Sequence, residues 1–157
     1  MKDISLYIHW PFCLSKCPYC DFNSHVFGKI DHSEWHKGLL REVKSLSEKT
    51  KGRKLKSIFF GGGTPSLMEP DIVSNLISES KKIWKTDGPI EISLEANPSS
   101  VESEKFYLFK EAGINRISLG VQSFNDDTLK FLGREHDAFD SKRAIEIAKK
   151  TFNNVSF

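Results

Sequence analysis

Cysteine is nearly absent from this chain: of 157 residues only three are cysteine, and all three fall between positions 13 and 20. An odd set crowded into so short a stretch has no distant partners, which excludes a disulfide framework. Long apolar runs are missing as well. None approaches the roughly 20 residues needed to span a bilayer, and the first residues lack the apolar core of a secretory signal. A cytoplasmic protein is therefore expected, with its thiols kept reduced. Neither sign of charge is in excess, since 23 basic against 21 acidic residues leave a net charge of +2. That balance gives no support for nucleic acid as a partner, and short pairs such as Lys81-Lys82 and Lys149-Lys150 read as solvated faces. Low-complexity segments and domain linkers are lacking too. At 38% hydrophobic and 28% charged, the composition is that of an ordinary soluble domain.

The cysteines stand in Tyr7-Ile-His-Trp-Pro-Phe-Cys13-Leu-Ser-Lys-Cys17-Pro-Tyr-Cys20-Asp-Phe22. Thiolates are soft ligands that select zinc or iron-sulfur clusters, and C-x3-C-x2-C spacing lets one tight loop present three sulfurs to one centre. Structural zinc usually takes four protein ligands. With no second cysteine pair, only His9 or His25 could complete a Cys3His site. A thioredoxin-like pair of Cys17 and Cys20 leaves Cys13 without a role. A cubane cluster held by three cysteines, by contrast, leaves one iron open to a small molecule. S-adenosylmethionine (SAM) suits that position, because its amino and carboxylate groups can chelate iron and bring the sulfonium close. The motif, with Tyr19 before the last cysteine and a strand before the first, resembles the radical SAM signature.

Along the chain, short apolar strands alternate with amphipathic helical stretches, the pattern of repeated βα units around a parallel sheet. Five strands are predicted, over 4–9, 55–60, 90–95, 114–121 and 154–157. A helix over 33–50 puts Trp35, Leu39, Leu40, Val43 and Leu46 on one face. A second begins near Glu69-Pro70, proline being suited to the first helical position, and buries Ile72, Val73, Leu76, Ile77 and Ile83. Ser99-x-x-Glu102 resembles a capping box for a third helix that runs to Ala112, with Gly113 as its C-terminal cap. Helices over 127–132 and 138–151 lead to the last strand. An eight-stranded βα barrel takes about 250 residues. The expectation is an incomplete, TIM-like βα barrel of about five parallel strands with helices outside: one domain, 1–157, cut short, with open sheet edges and a C-terminal domain absent.

Ligands of parallel βα sheets bind at the carboxyl ends of the strands. The first such end carries the cysteines. At the second stands Gly61-Gly62-Gly63-Thr64-Pro65, where glycines let backbone approach a ligand closely. A phosphate loop would need Gly-Lys-Ser/Thr after them, and none is present. Glu95-Ala-Asn97-Pro98 closes the third strand with a carboxylate that packing explains poorly, since a buried charge without a partner is costly. The fourth reads Gly120-Val121-Gln122-Ser123-Phe124, followed by Leu132-Gly133-Arg134-Glu135-His136. Gln122 can bond ribose hydroxyls, and Arg134 can pair with a carboxylate in fork geometry.

These motifs, in this order and from about residue 4 to the end, closely resemble the family of oxygen-independent coproporphyrinogen III oxidases and their haem-chaperone relatives of the HemW type. The resemblance implies a radical SAM barrel in which Cys13, Cys17 and Cys20 hold a 4Fe-4S cluster. It implies that Tyr19 packs near the adenine of SAM, that Gly62, Gly63 and Thr64 bind its methionine end, and that Glu95, Gln122 and Arg134 contact its polar groups. Tyr7 matches a tyrosine close to the cluster and substrate region, and is counted with the SAM-binding residues. Two departures favour the chaperone branch: the oxidases carry a fourth cysteine two residues after the third, where this chain has Phe22, and they have a substantial segment before the cluster. Leu132-Gly133-Arg134-Glu135-His136 likewise looks like the chaperone branch. That branch implies haem binding and delivery to a membrane acceptor, with an electron donor for the cluster. The oxidase alternative implies radical decarboxylation of porphyrin propionates, which would make the chain an enzyme. His9, His25 and His136 are candidate axial ligands, with ordinary structural roles preferred. An inert fragment is the third alternative.

Overall fold

The computed structural model describes residues 3–157, and the side chains of all of these but 100 and 101. Its centre is a five-stranded, all-parallel sheet. The strands are β1 (Ile4–Trp10), β4 (Leu55–Gly62), β5 (Glu91–Ala96), β6 (Arg116–Leu119) and β7 (Asn154–Ser156), side by side in chain order. Strictly sequential order is that of a barrel wall, whereas a doubly wound sheet reverses direction at a switch point. The incomplete βα barrel expected above is the fold observed.

Alternation along each strand separates two faces. Leu6, Ile8 and Trp10 of β1, Ile58 and Phe60 of β4, Ile92 and Leu94 of β5, and Ile117 and Leu119 of β6 are all buried against the helices. The opposite face is unusually polar for a parallel sheet, which commonly reads as continuous apolar strands. Ser57 donates to Ser5 across β1 and β4 at 2.8 Å, and Arg116 reaches Ser93 at 3.4 Å and Ser156 at 3.2 Å.

The helices form where periodicity predicts them. Helix α1 (His32–Lys49) is capped by Asp31, whose carboxylate accepts from the Glu34 amide at 3.0 Å. Only Val43 of its predicted stripe is fully buried; Leu39, Leu40 and Leu46 pack at the margin, and Trp35 lies over Trp10 and Phe12. Helix α2 (Pro70–Ile83) buries Ile72, Val73, Leu76 and Ile77 and leaves Ile83 at the edge.

Three local features differ from the sequence reading. A two-stranded ladder, β2 (Phe12–Cys13) with β3 (His25–Val26), closes the cysteine loop at its base. The helix predicted over 99–112 splits into α3 (Ser100–Ser103) and α4 (Phe106–Glu111). The split follows from Glu102, which is buried and turned toward Asn97 and Ser66, while Lys105 N–H makes a tight turn back to the Glu102 carbonyl at 3.0 Å. Strand β6 stops at Leu119 rather than Val121, because Gln122 takes a left-handed φ of 66° and turns the chain away. Helices α5 (Asp126–Phe131) and α6 (Ala138–Thr151) complete the outer layer.

Candidate functional site

At the carboxyl ends of β1, β4, β5 and β6 the chain encloses a cavity of about 590 Å³. Its walls include Cys13, Cys17 and Cys20 together with Glu95, Asn97, Gln122 and Arg134.

The cysteine loop is held by the protein itself. His25 N–H donates to the Pro11 carbonyl at 2.7 Å, Cys20 N–H to the Cys17 carbonyl at 3.0 Å, and Lys16 Nζ to the Ser24 carbonyl at 3.2 Å. His9 ties the loop to the sheet, with Nε2 2.9 Å from the Asn23 carbonyl and Nδ1 3.3 Å from Tyr7 Oη. Nε2, facing a carbonyl, carries the ring N–H, which places the lone pair on Nδ1 beside the Tyr7 hydroxyl. All three thiols are free and half-buried. Among the described residues, no three Cys, His, Asp or Glu side chains gather into a cage for a single metal ion. A cubane makes no such demand, because each sulfur binds its own iron.

The glycine turn meets the cysteine loop directly. Gly63 N–H donates to the Trp10 carbonyl at 2.7 Å and Thr64 N–H to the Phe12 carbonyl at 2.8 Å. A side chain at Gly63 would stand 2.6 Å from the Phe12 carbonyl oxygen and 2.9 Å from Cys13 Sγ. Gly62 has φ +118° and points its N–H at Glu95 Oε2, 3.3 Å away. Glu95 is half-buried, and burial raises its carboxyl above the ordinary value, an effect the Gly62 N–H partly offsets.

Arg134 spans the cavity. Nη2 donates to Asn97 Oδ1 at 2.6 Å and to the Gly120 carbonyl at 2.8 Å, while Nη1 lies 3.2 Å from Cys17 Sγ and 3.5 Å from Tyr19 Oη. Its Nε is buried with no hydrogen-bond partner. Tyr19 is raised by burial, with the Arg134 charge opposing. Of the candidates named from sequence, Cys13, Cys17, Cys20, Tyr19, Gly62, Gly63, Thr64, Glu95, Gln122 and Arg134 all line this cavity. Tyr7 does not; it lies on the polar sheet face, stacked on Phe59 at 6.0 Å. His136 is buried with Nε2 3.1 Å from the Val121 carbonyl, and His25 is exposed.

Sequence reasoning missed Asn97 and Glu102. Asn97 Nδ2 donates to Thr64 Oγ1 at 3.2 Å, and its backbone N–H donates to Glu102 Oε2 at 2.9 Å. Glu102, 3% exposed, also accepts from the Ser66 hydroxyl, and burial raises its pKa against the lowering effect of these donors. The signal was on the page: Asn97 stands in Glu95-Ala-Asn97-Pro98, a polar residue at an apolar strand end, and Glu102 stands in the pattern read only as a cap.

The donor set fits an iron-sulfur cluster with an amino-acid-bearing ligand: three free thiols, an unpartnered buried guanidinium nitrogen, and a glycine, Gly63, where a side chain would strike the Cys13 sulfur. The radical SAM superfamily model matches residues 7–157. This chain belongs to the radical SAM superfamily, whose members use a 4Fe-4S cluster and SAM. It is 48% identical to the heme chaperone HemW of Haemophilus influenzae, aligned over 98% of this chain and 42% of that protein. It is 44% identical to the heme chaperone HemW of Escherichia coli, over 94% of this chain and 39% of that one. Among solved structures, coproporphyrinogen III oxidase (HemN) from Escherichia coli superposes with a TM-score of 0.86 at 27% identity, over 98% of this chain and 36% of that one. The chain thus spans about two fifths of the length of the curated relatives it matches. No helix among the described residues is long and apolar enough to cross a membrane.

Proposed function

We propose that this chain is the cluster- and SAM-binding portion of a radical SAM haem chaperone. The observation that carries the reading is the cysteine loop lining one cavity with Glu95 and Arg134, with Phe22 standing where the oxidases resemble each other in carrying a fourth cysteine. Relatives at 48% and 44% identity that are named heme chaperones support it.

On this reading Cys13, Cys17 and Cys20 hold the 4Fe-4S cluster. When bound, cluster and SAM together supply one-electron reductive chemistry at the sulfonium. The chain's own residues do the placing. Backbone of Gly62 and Gly63, with Thr64, offers hydrogen bonds to the methionine end. Glu95 and Gln122 offer acceptors and donors for amino or hydroxyl groups, Arg134 offers its positive charge to the carboxylate, and Tyr19 offers an aromatic face toward the adenine. Tyr7 stands outside the cavity, exposed, with its hydroxyl 3.3 Å from His9 Nδ1. Haem, an electron donor and a membrane acceptor for the haem are the partners this function requires.

A second reading, oxidative decarboxylation of coproporphyrinogen III, is favoured by the likeness to the oxidase at a TM-score of 0.86. Anaerobic reconstitution followed by reductant, SAM and coproporphyrinogen III separates the two. Cluster uptake with stable haem binding and no decarboxylated product is expected. Release of 5'-deoxyadenosine together with decarboxylated porphyrin would replace the chaperone reading by the oxidase one.

A further inference from the structure

Arg134 arrives from the loop after α5, more than a hundred residues downstream of the cysteine it touches, yet its orientation leaves little freedom. A guanidinium is planar, so fixing one nitrogen fixes the direction of the other. Nη2 is fixed twice, by Asn97 Oδ1 at 2.6 Å and by the Gly120 carbonyl at 2.8 Å, and this aims Nη1 at Cys17 Sγ, 3.2 Å away. Asn97 is held in its turn. Its amide nitrogen donates to Thr64 Oγ1 at 3.2 Å, so its amide oxygen faces Arg134, and its backbone N–H is anchored on buried Glu102 at 2.9 Å. One asparagine therefore links the glycine turn, the end of β5 and the guanidinium that meets the cysteine loop.

Resting on the cluster reading above, we propose that Asn97 is a positioning residue that holds Arg134 in a hydrogen bond to the Cys17 sulfur, and that this bond raises the reduction potential of the bound cluster. An N–H donor carrying positive charge stabilises the added electron on a cluster sulfur, and hydrogen bonds to the ligating sulfurs are among the levers that set such potentials. The role is distinct from any contact Arg134 makes to SAM, because it operates with the cluster alone.

The test is an electron-paramagnetic-resonance redox titration of the reconstituted full chain without SAM. Asn97→Ala is expected to make reduction about tenfold less favourable, about 59 mV for one electron, and Arg134→Gln at least as much. Placed together, the two are expected to shift the potential no further than Arg134→Gln alone, since the first acts through the second. Asn97→Ser, whose hydroxyl is too short to reach the guanidinium, repeats the measurement should the alanine variant load poorly. Native potentials in both Asn97 variants, or an undiminished Asn97→Ala shift in the Arg134→Gln background, would overturn the inference. Failure of the native chain to take up a cluster would instead overturn the reading beneath it.

Discussion

Gly63 shows how little room the site leaves at the level of a single residue. A Cβ there would press on the Phe12 carbonyl oxygen at 2.6 Å, and backbone cannot swing aside as a side chain can. Gly63→Ala is expected to cost about 1–3 kcal/mol of stability, as overpacking does, and to impair cluster uptake through Cys13. The urea midpoint and the iron content after reconstitution read the two effects separately. His136 carries a pH signature. Burial lowers its pKa from the ordinary 6.5, with the Val121 carbonyl bond opposing. The unfolded chain then binds the proton more readily than the fold does, so stability is full above pH 6.5 and declines as pH falls toward the lowered folded value. Urea midpoints taken across that window are expected to drop for the native protein and to drop less for His136→Gln. The cysteines, the glycine turn, Glu95 and Arg134 were legible because rare or charged residue types at apolar strand ends demand a reason. Asn97 and Glu102 were legible only as a polar residue at a strand end and as a cap, since their roles depend on which way a side chain turns after folding.

Elements close to the site depend on their caps. Helix α6 begins with a reciprocal pair in which the Asp137 carboxylate accepts from the Asp140 amide at 2.8 Å, three residues after Arg134. Asp137→Ala is expected to destabilise by about 1 kcal/mol and to quicken amide exchange in the first turn of α6, leaving α1 and α2 unchanged. Exchange measured by mass spectrometry checks both halves of that statement. Periodicity located helices α1, α2 and α6 of the outer layer, because the apolar stripe that buries is the stripe that repeats. It failed over 99–112, where the buried hydrogen bonds of Glu102 outweighed helical continuity. The two-residue ladder of β2 and β3 was also invisible, being too short for any pattern to register.

The helix-facing core runs unbroken from β1 and α1 through β5 to α4 and α6. One contiguous core implies one cooperative unit. Far-ultraviolet circular dichroism and tryptophan fluorescence are therefore expected to report a single coincident melt, Trp10 and Trp84 both lying in that core. Transitions that separate would sink this expectation and favour a chain that does not fold as a unit. The sequence by itself determined the repeated βα units, the parallel sheet and the three-cysteine loop at the first strand end, because strand and helix periods and cysteine spacing are local properties of the chain. Only the tertiary structure decided that Asn97 joins the glycine turn to Arg134, that Arg134 meets Cys17 across more than a hundred residues, and that Tyr7 lies outside the cavity. Those outcomes depend on how far each strand runs and which face each side chain takes, which only the packing of the whole sheet against its helices sets.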